Sequence, residues 1–207
     1  MLLKEYIETH IIPLYADFDK AHREDHVNVV IQRSLDLADR YGLDRDMMYA
    51  AAAYHDTGLR ADRKIHHLES GKIIRADANL RNWFSEEQIE QIAQAAEDHR
   101  ASSETPPRSM YGCILAEADR LIDPMVIIRR TVQYGLSHYP DMDRDAHRAR
   151  TVEHLEEKYG DGGYLKLWLD DSPNAAPLEE LRAIIRNPDR TELMALVDRE
   201  YEAQTSL

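Results

Sequence analysis

A single cysteine, Cys113, stands in the 207 residues of the chain. It excludes an internal disulfide and any metal site built from several thiolates, so a bound metal would have to be held by histidine and carboxylate. Positive charge is also scarce: 26 Lys and Arg face 39 Asp and Glu, a formal net charge of −13. Wrapping a nucleic-acid polymer requires a basic surface, and that class of partner is excluded. A small phosphorylated ligand is not, because local cations and metal ions hold anions even on acidic proteins. Long apolar runs are missing as well. The opening MLLKEYIETHIIPLY places Lys and Glu where a signal peptide has its apolar centre, and no later run approaches a membrane span. A cytoplasmic protein with no membrane partner is the expectation.

Strand-like alternation long enough for a sheet is absent too, and so are internal repeats and low-complexity tracts. What remains is helical. In DHVNVVIQRSLDLADRYG the apolar positions Val27, Val30, Ile31, Leu35 and Ala38 recur at helical spacing, with Gly42 suited to the stop. DRDMMYAAAAYHD is rich in Ala and Met and ends on His55 and Asp56. HHLESGKIIRA reads as a third helix despite Gly71. A fourth opens with the capping-box pair Ser85 and Gln88 and runs toward His99 on its buried stripe. MYGCILAEADRLID gives a fifth, with Leu115, Asp119 and Ile122 on one face. Helical patterns continue through MVIIRRTVQYGL, HRARTVEHLEEKYG and LEELRAIIRN, broken at GDGG and DDSPNAAP. The predicted architecture is all-α: a helical core over 1–138 and a helical C-terminal extension over 139–207, packed on the core. The extension is suited to covering a site or to homodimer contacts.

Four inward-facing polar groups stand out on separate helices: His26, the pair His55 and Asp56, and Asp119. Each alone is explained by capping or packing. Together, two imidazoles and two carboxylates cost more to bury uncompensated than a core of this size can spare, unless they share a cation.

Their order, H…HD…D, and the stretches DKAHREDHVNVV, AAAYHDTG, HHLESGKII, EDHRASS and LAEADRLID resemble, in the same order, the HD-domain superfamily of metal-dependent phosphohydrolases. The resemblance spans about residues 19–128 and is closest to small bacterial HD hydrolases, in particular those that cleave nucleoside triphosphates to monophosphate and pyrophosphate. It implies an HD-domain helical bundle in which His26, His55, Asp56 and Asp119 bind one divalent ion, drawn from Mn, Fe, Co, Ni, Zn and Mg, with open positions for water and substrate. In binuclear branches, histidines at places comparable to His67 and His99 bind a second ion, with His66 able to replace His67. The one-metal state is put first, which leaves His67 and His99 to act on substrate phosphate or as proton donors, and Asp56 to orient or deprotonate the attacking water. Thr57, Gly58 and Leu59 stand where the deoxynucleoside monophosphatase branch carries an acidic residue and the cyclic-dinucleotide branch a basic one, so neither activity carries over.

Positive charge is concentrated in LRADRKIHH, where Arg60, Arg63 and Lys64 are candidates for phosphate oxygens, as is Arg108 in the proline loop. Arg120 is a further cation, suited to pairing with a carboxylate. His22 lies one helical turn before His26 and is a candidate for orienting the site. The expected function is hydrolysis of a small phosphorylated metabolite, a nucleotide first. The alternatives are a di-iron oxygenase of the same superfamily and a non-catalytic nucleotide or metal sensor.

Overall fold

The computed structural model describes residues 1–18, 24–61, 63–103 and 105–205, and among them every regular element is helical, as expected. His22 lies outside the described residues. The α-helices are α1 (Leu3–His10), α2 (Glu24–Tyr41), α3 (Arg45–Tyr54), α4 (His66–Ala76), α5 (Glu86–Asp98), α6 (Met110–Asp119), α7 (Pro124–His138), α8 (Arg144–Tyr159), α9 (Ala175–Arg186) and α10 (Thr191–Thr205). None of them is long and apolar enough to cross a membrane.

The chain divides into two compact units, Met1–Arg120 with Trp168–Asp170, and Leu121–Leu167 with Asp171–Leu207. In the first, α2 buries Val27, Val30, Ile31, Leu37 and Ala38 and ends at Gly42. With φ at 66°, Gly42 lets the Leu43 N–H turn back to the Ala38 carbonyl at 3.0 Å, a closure that a side chain would resist. Asp44 then caps α3 by accepting from the N–H groups of Asp46 and Met47. Ala50 to Ala53 are wholly buried, and their small side chains let the helix sit deep among its neighbours. The Ser85 and Gln88 capping box forms at the start of α5 as read from the sequence.

α6 stops at Asp119, earlier than the pattern of its apolar residues suggested, and Ile122 does not share its face. Proline disfavours helical backbone at the residue before it, so Asp123 is extended and its side chain caps α7 by accepting from Val126 N–H at 2.9 Å. The second unit has a core of its own, in which Ile128 and Val132 of α7 join Leu155, Leu181, Leu193 and Val197. The division after His138 expected from the sequence lies inside this unit, at the end of α7.

Gly71 sits mid-helix because α5 needs the space. A Cβ there would stand 2.4 Å from Glu97 Oε1, and Glu97 has to reach across to Arg75 on α4. Arg75 also grips Glu90 with two bonds of 2.7 and 2.9 Å, which hold the Glu90 carboxyl down at about 2. A carboxyl depressed on folding stabilises the fold above its unfolded pKa of 4.5, and that contribution is lost as pH falls toward 2. Because the pair is half exposed, the loss is less than about 1 kcal/mol. Glu90→Gln is expected to be less stable than the parent at pH 7 and to converge with it by pH 2, as read from urea midpoints across that window.

Candidate metal centre

Three helices end at one place. His55 follows the last residue of α3, His99 follows the last residue of α5, and Asp119 closes α6. Helix C-termini carry partial negative charge and leave carbonyls without intrahelical partners, which favours a cation there. The free carbonyls also set the imidazoles. His55 Nδ1 donates to Ala52 O at 2.7 Å, and His99 Nδ1 donates to Ala96 O at 2.5 Å. His66, the first residue of α4, does the same to Arg63 O at 2.8 Å. A carbonyl only accepts, so each ring carries its proton on Nδ1 and turns the Nε2 lone pair inward.

Those three Nε2 atoms, and that of His26, lie near carboxylate oxygens. His26 Nε2 lies 3.1 Å from Asp119 Oδ1, and His55 Nε2 lies 3.2 Å from Asp56 Oδ2 and 3.7 Å from Asp119 Oδ1; His26 to Asp56 Oδ2 is 4.0 Å. On the other side of the same carboxylate, Asp56 Oδ1 lies 3.3 Å from His66 Nε2 and 3.6 Å from His99 Nε2, with the two nitrogens 3.4 Å apart. Donors bound about 2.1 Å from a shared cation stand roughly 3.0–3.4 Å from one another in octahedral or tetrahedral arrangements. The spacing of both groups is close to that range, and Asp56 belongs to each.

The donor chemistry fits a metal as well as the spacing does. Three lone-pair atoms, Asp56 Oδ1 and the Nε2 atoms of His66 and His99, converge with both ring protons committed elsewhere, and His55 Nε2 is buried without a hydrogen bond. Buried lone pairs facing one another are costly unless a cation lies between them. At His66 an extra proton is a poor substitute, since burial and the neighbouring His99 push its pKa down. Burial also acts to lower the His55 pKa, but the Asp56 carboxylate beside it prevails and the net direction is up. Asp56, which burial alone would raise, is held well below the usual carboxylate range by His55 and His99. Asp119 is likewise depressed, its burial outweighed by His26 and His55.

The pair His55–Asp56 is held by side chains that close the end of α3. The carbonyl of Ala52 takes His55 Nδ1, that of Ala53 takes the Tyr15 hydroxyl at 2.9 Å, and that of Tyr54 takes Thr57 Oγ1 at 2.7 Å. Tyr15 also accepts the Asp56 N–H at 3.2 Å. It lies on the 3₁₀ turn Ile12–Asp17, fully buried, and burial together with the Asp56 charge keeps its hydroxyl protonated. Gly58, in the next turn, donates its N–H to Ser70 Oγ on α4 at 2.9 Å, which docks α4 and His66 against the pair.

The structure thus brings together His26, His55, Asp56, His99 and Asp119, and it sets His66 where the sequence reading had put His67 first. His67 is half-buried beside His66, its pKa pushed down to about 4 by burial and by the adjacent His99 and His66. His66→Ala is expected to bind less divalent metal than the wild type, whereas His67→Ala keeps the wild-type content; metal analysis of the two variants by plasma mass spectrometry checks this.

The cations are placed differently from the ligands. Arg60 pairs with Asp17 at 3.1 Å, and Arg108 commits Nε and Nη2 to Asp98 and Glu97 at 2.6–3.0 Å. Arg63 and Lys64 have exposed side chains, and their carbonyls accept from His66 and from Arg100. Arg60 and Arg63 border a cleft of about 410 Å³ with Asp17, Phe18 and Leu59. Arg120 is buried beside Glu117 and Asp119, with Nε and Nη1 lacking a hydrogen-bond partner. Sequence reading passed over Tyr15, Ser70 and the contact role of Gly58.

Comparison with known proteins places the family on this same region: the HD domain family matches residues 23–122. Among solved structures, a predicted HD superfamily hydrolase from an uncultured Thermotogales bacterium is similar at 24% identity and a TM-score of 0.49, over 75% of this chain and 94% of that one. No curated protein matches the chain.

Proposed function

From the match of residues 23–122 to the HD domain family, we propose that the protein is an HD-domain metal-dependent phosphohydrolase acting on a small phosphorylated metabolite, a nucleotide first. The observation that carries this reading is the pair of donor groups sharing Asp56, with each of three imidazoles locked by a carbonyl so that Nε2 faces inward. His26, His55, Asp56 and Asp119 would hold one divalent ion, and Asp56, His66 and His99 a second. Divalent ions held there supply Lewis acidity and lower the pKa of water toward neutrality.

The chain's own groups account for the remaining requirements. Asp56 is the carboxylate best placed to orient an attacking water, because both its oxygens face the centre. α4 begins at His66, so the N-terminal end of a helix faces the site beside three C-terminal ends. Free N–H groups at a helix start suit phosphate oxygens as C-terminal ends suit cations. Arg63 and Lys64 precede that helix start, and Arg60 borders the nearby cleft, where each would meet the phosphates of a bound substrate.

A purified protein supplemented with Mn, Co, Ni, Zn or Mg and offered nucleoside triphosphates, phosphomonoesters and cyclic dinucleotides tests this. Pyrophosphate release from a nucleoside triphosphate is the expected result. No phosphoester or phosphoanhydride turnover with any ion would overturn it. The six donors also favour a second reading, a di-iron oxygenase. Two irons per chain after anaerobic purification, with oxygen uptake and no phosphate release, would select that reading.

A further inference from the structure

We infer that the Tyr15 hydroxyl is a positioning group for the metal centre, setting the Asp56 carboxylate so that each oxygen meets a different group of imidazoles. The inference rests on the metal-centre reading above. In a continuing helix the Ala52 carbonyl would receive the Asp56 N–H, and the Ala53 carbonyl the Thr57 N–H. Here the His55 ring takes the Ala52 carbonyl, and Asp56 leaves helical geometry with φ −106° and ψ 5°. Its N–H therefore needs another acceptor, and the Ala53 carbonyl another donor. The Tyr15 hydroxyl serves both, accepting from Asp56 N at 3.2 Å and donating to Ala53 O at 2.9 Å.

One oxygen atom thus fixes the residues on either side of the Tyr54–His55 pair, from an element 38 residues earlier in the chain. Its ring is held in turn: Tyr15 packs edge-on against Phe18 at 5.1 Å and lies 6.3 Å from the His55 ring. The turn therefore cannot rotate about His55 without breaking a bond to a rigid, fully buried phenol. Groups that orient ligands in this way control affinity without touching the ion.

The test is Mn²⁺ titration of the full chain by calorimetry, comparing the wild type, Tyr15→Phe and Tyr6→Phe. Tyr6 loses a hydroxyl bond to Asp77 at 2.7 Å, a carboxylate that the Tyr54 hydroxyl also holds, and among the described residues it bonds neither to a donor of the cluster nor to the backbone of the His55–Asp56 turn. Tyr15→Phe is expected to bind Mn²⁺ roughly 10–100-fold more weakly, while Tyr6→Phe keeps wild-type affinity. A Tyr15→Phe protein with wild-type Mn²⁺ affinity overturns the inference, however far its Tm falls. Should that variant not stay folded, hydrogen exchange at the Asp56 amide in the wild type decides: slowing by saturating Mn²⁺ supports the inference, and an unchanged rate overturns it. A wild type that takes up no divalent ion would overturn the metal-centre reading itself, and this inference with it.

Discussion

Asp56→Ala is expected to lose both metal equivalents and to turn over phosphorylated substrates at least about 10³-fold more slowly, since metal-based stabilisation of several kcal/mol goes with the ions. No other single side chain among the described donors belongs to both groups: Oδ2 faces His55 at 3.2 Å and Oδ1 faces His66 at 3.3 Å. Asp119→Ala, by contrast, removes an oxygen only from the group of His26 and His55, and is expected to keep the ion held by Asp56, His66 and His99. A readout independent of substrate is available. An ion that binds only the folded protein at 100 times its Kd adds about 2.7 kcal/mol of stability, so added metal should raise the Tm of the wild type and leave that of Asp56→Ala unmoved. Wild-type metal content and rate in Asp56→Ala would refute the assignment of the bridging carboxylate.

Why the ligand order was legible while some of its surroundings were not follows from how each residue is held. His55 and Asp56 follow an apolar run and Asp119 stands at helical spacing from Leu115, and such interruptions are visible in a sequence without knowledge of the packing, while His26 is legible through the H…HD…D order. The choice between His66 and His67 is of another kind. Adjacent residues on a helix point about 100° apart, so the answer depends on the rotation at which α4 is set down, and that rotation is fixed by Gly58 donating to Ser70. Neither residue carries a signal of this in the sequence. Tyr15 is harder still, because its two bonds run to main-chain atoms of Ala53 and Asp56, and a backbone partner leaves no trace in residue type. Gly71 was an obstacle to reading α4 for a related reason. The residue that excludes a side chain there is Glu97, on another helix. The end of α6 was overrun because Leu115, Asp119 and Ile122 do have helical spacing, whereas the backbone leaves helical geometry already at Arg120, with φ −79° and ψ 83°, a turn that residue type does not announce.

Gly58→Ala is expected to be the most damaging small substitution in the first unit, and its sign is decided by contact rather than by backbone preference. Gly58 does not lie in the left-handed region, so on entropy alone alanine would stabilise by about 0.4–1 kcal/mol. The added Cβ, however, would stand 2.0 Å from the His66 carbonyl oxygen, 2.6 Å from Ser70 N and 2.8 Å from Glu69 Cβ. None of these atoms is the end of a flexible side chain, so relief requires the first turn of α4 to move away. Overpacking of this kind costs about 1–3 kcal/mol and sometimes more, which outweighs the entropic gain. The shift also breaks the Gly58–Ser70 bond and carries His66 away from Asp56 Oδ1. A Tm lower by several degrees is expected, together with a fall in bound metal from two equivalents to one, since His26, His55 and Asp119 are carried by or directly follow α2, α3 and α6, none of which Gly58 touches at that Cβ. Calorimetry and metal analysis on the same preparation read both effects. If the variant melted with the wild type and kept two equivalents, α4 would not be seated on this glycine, and the docking that places His66 would have to come from elsewhere.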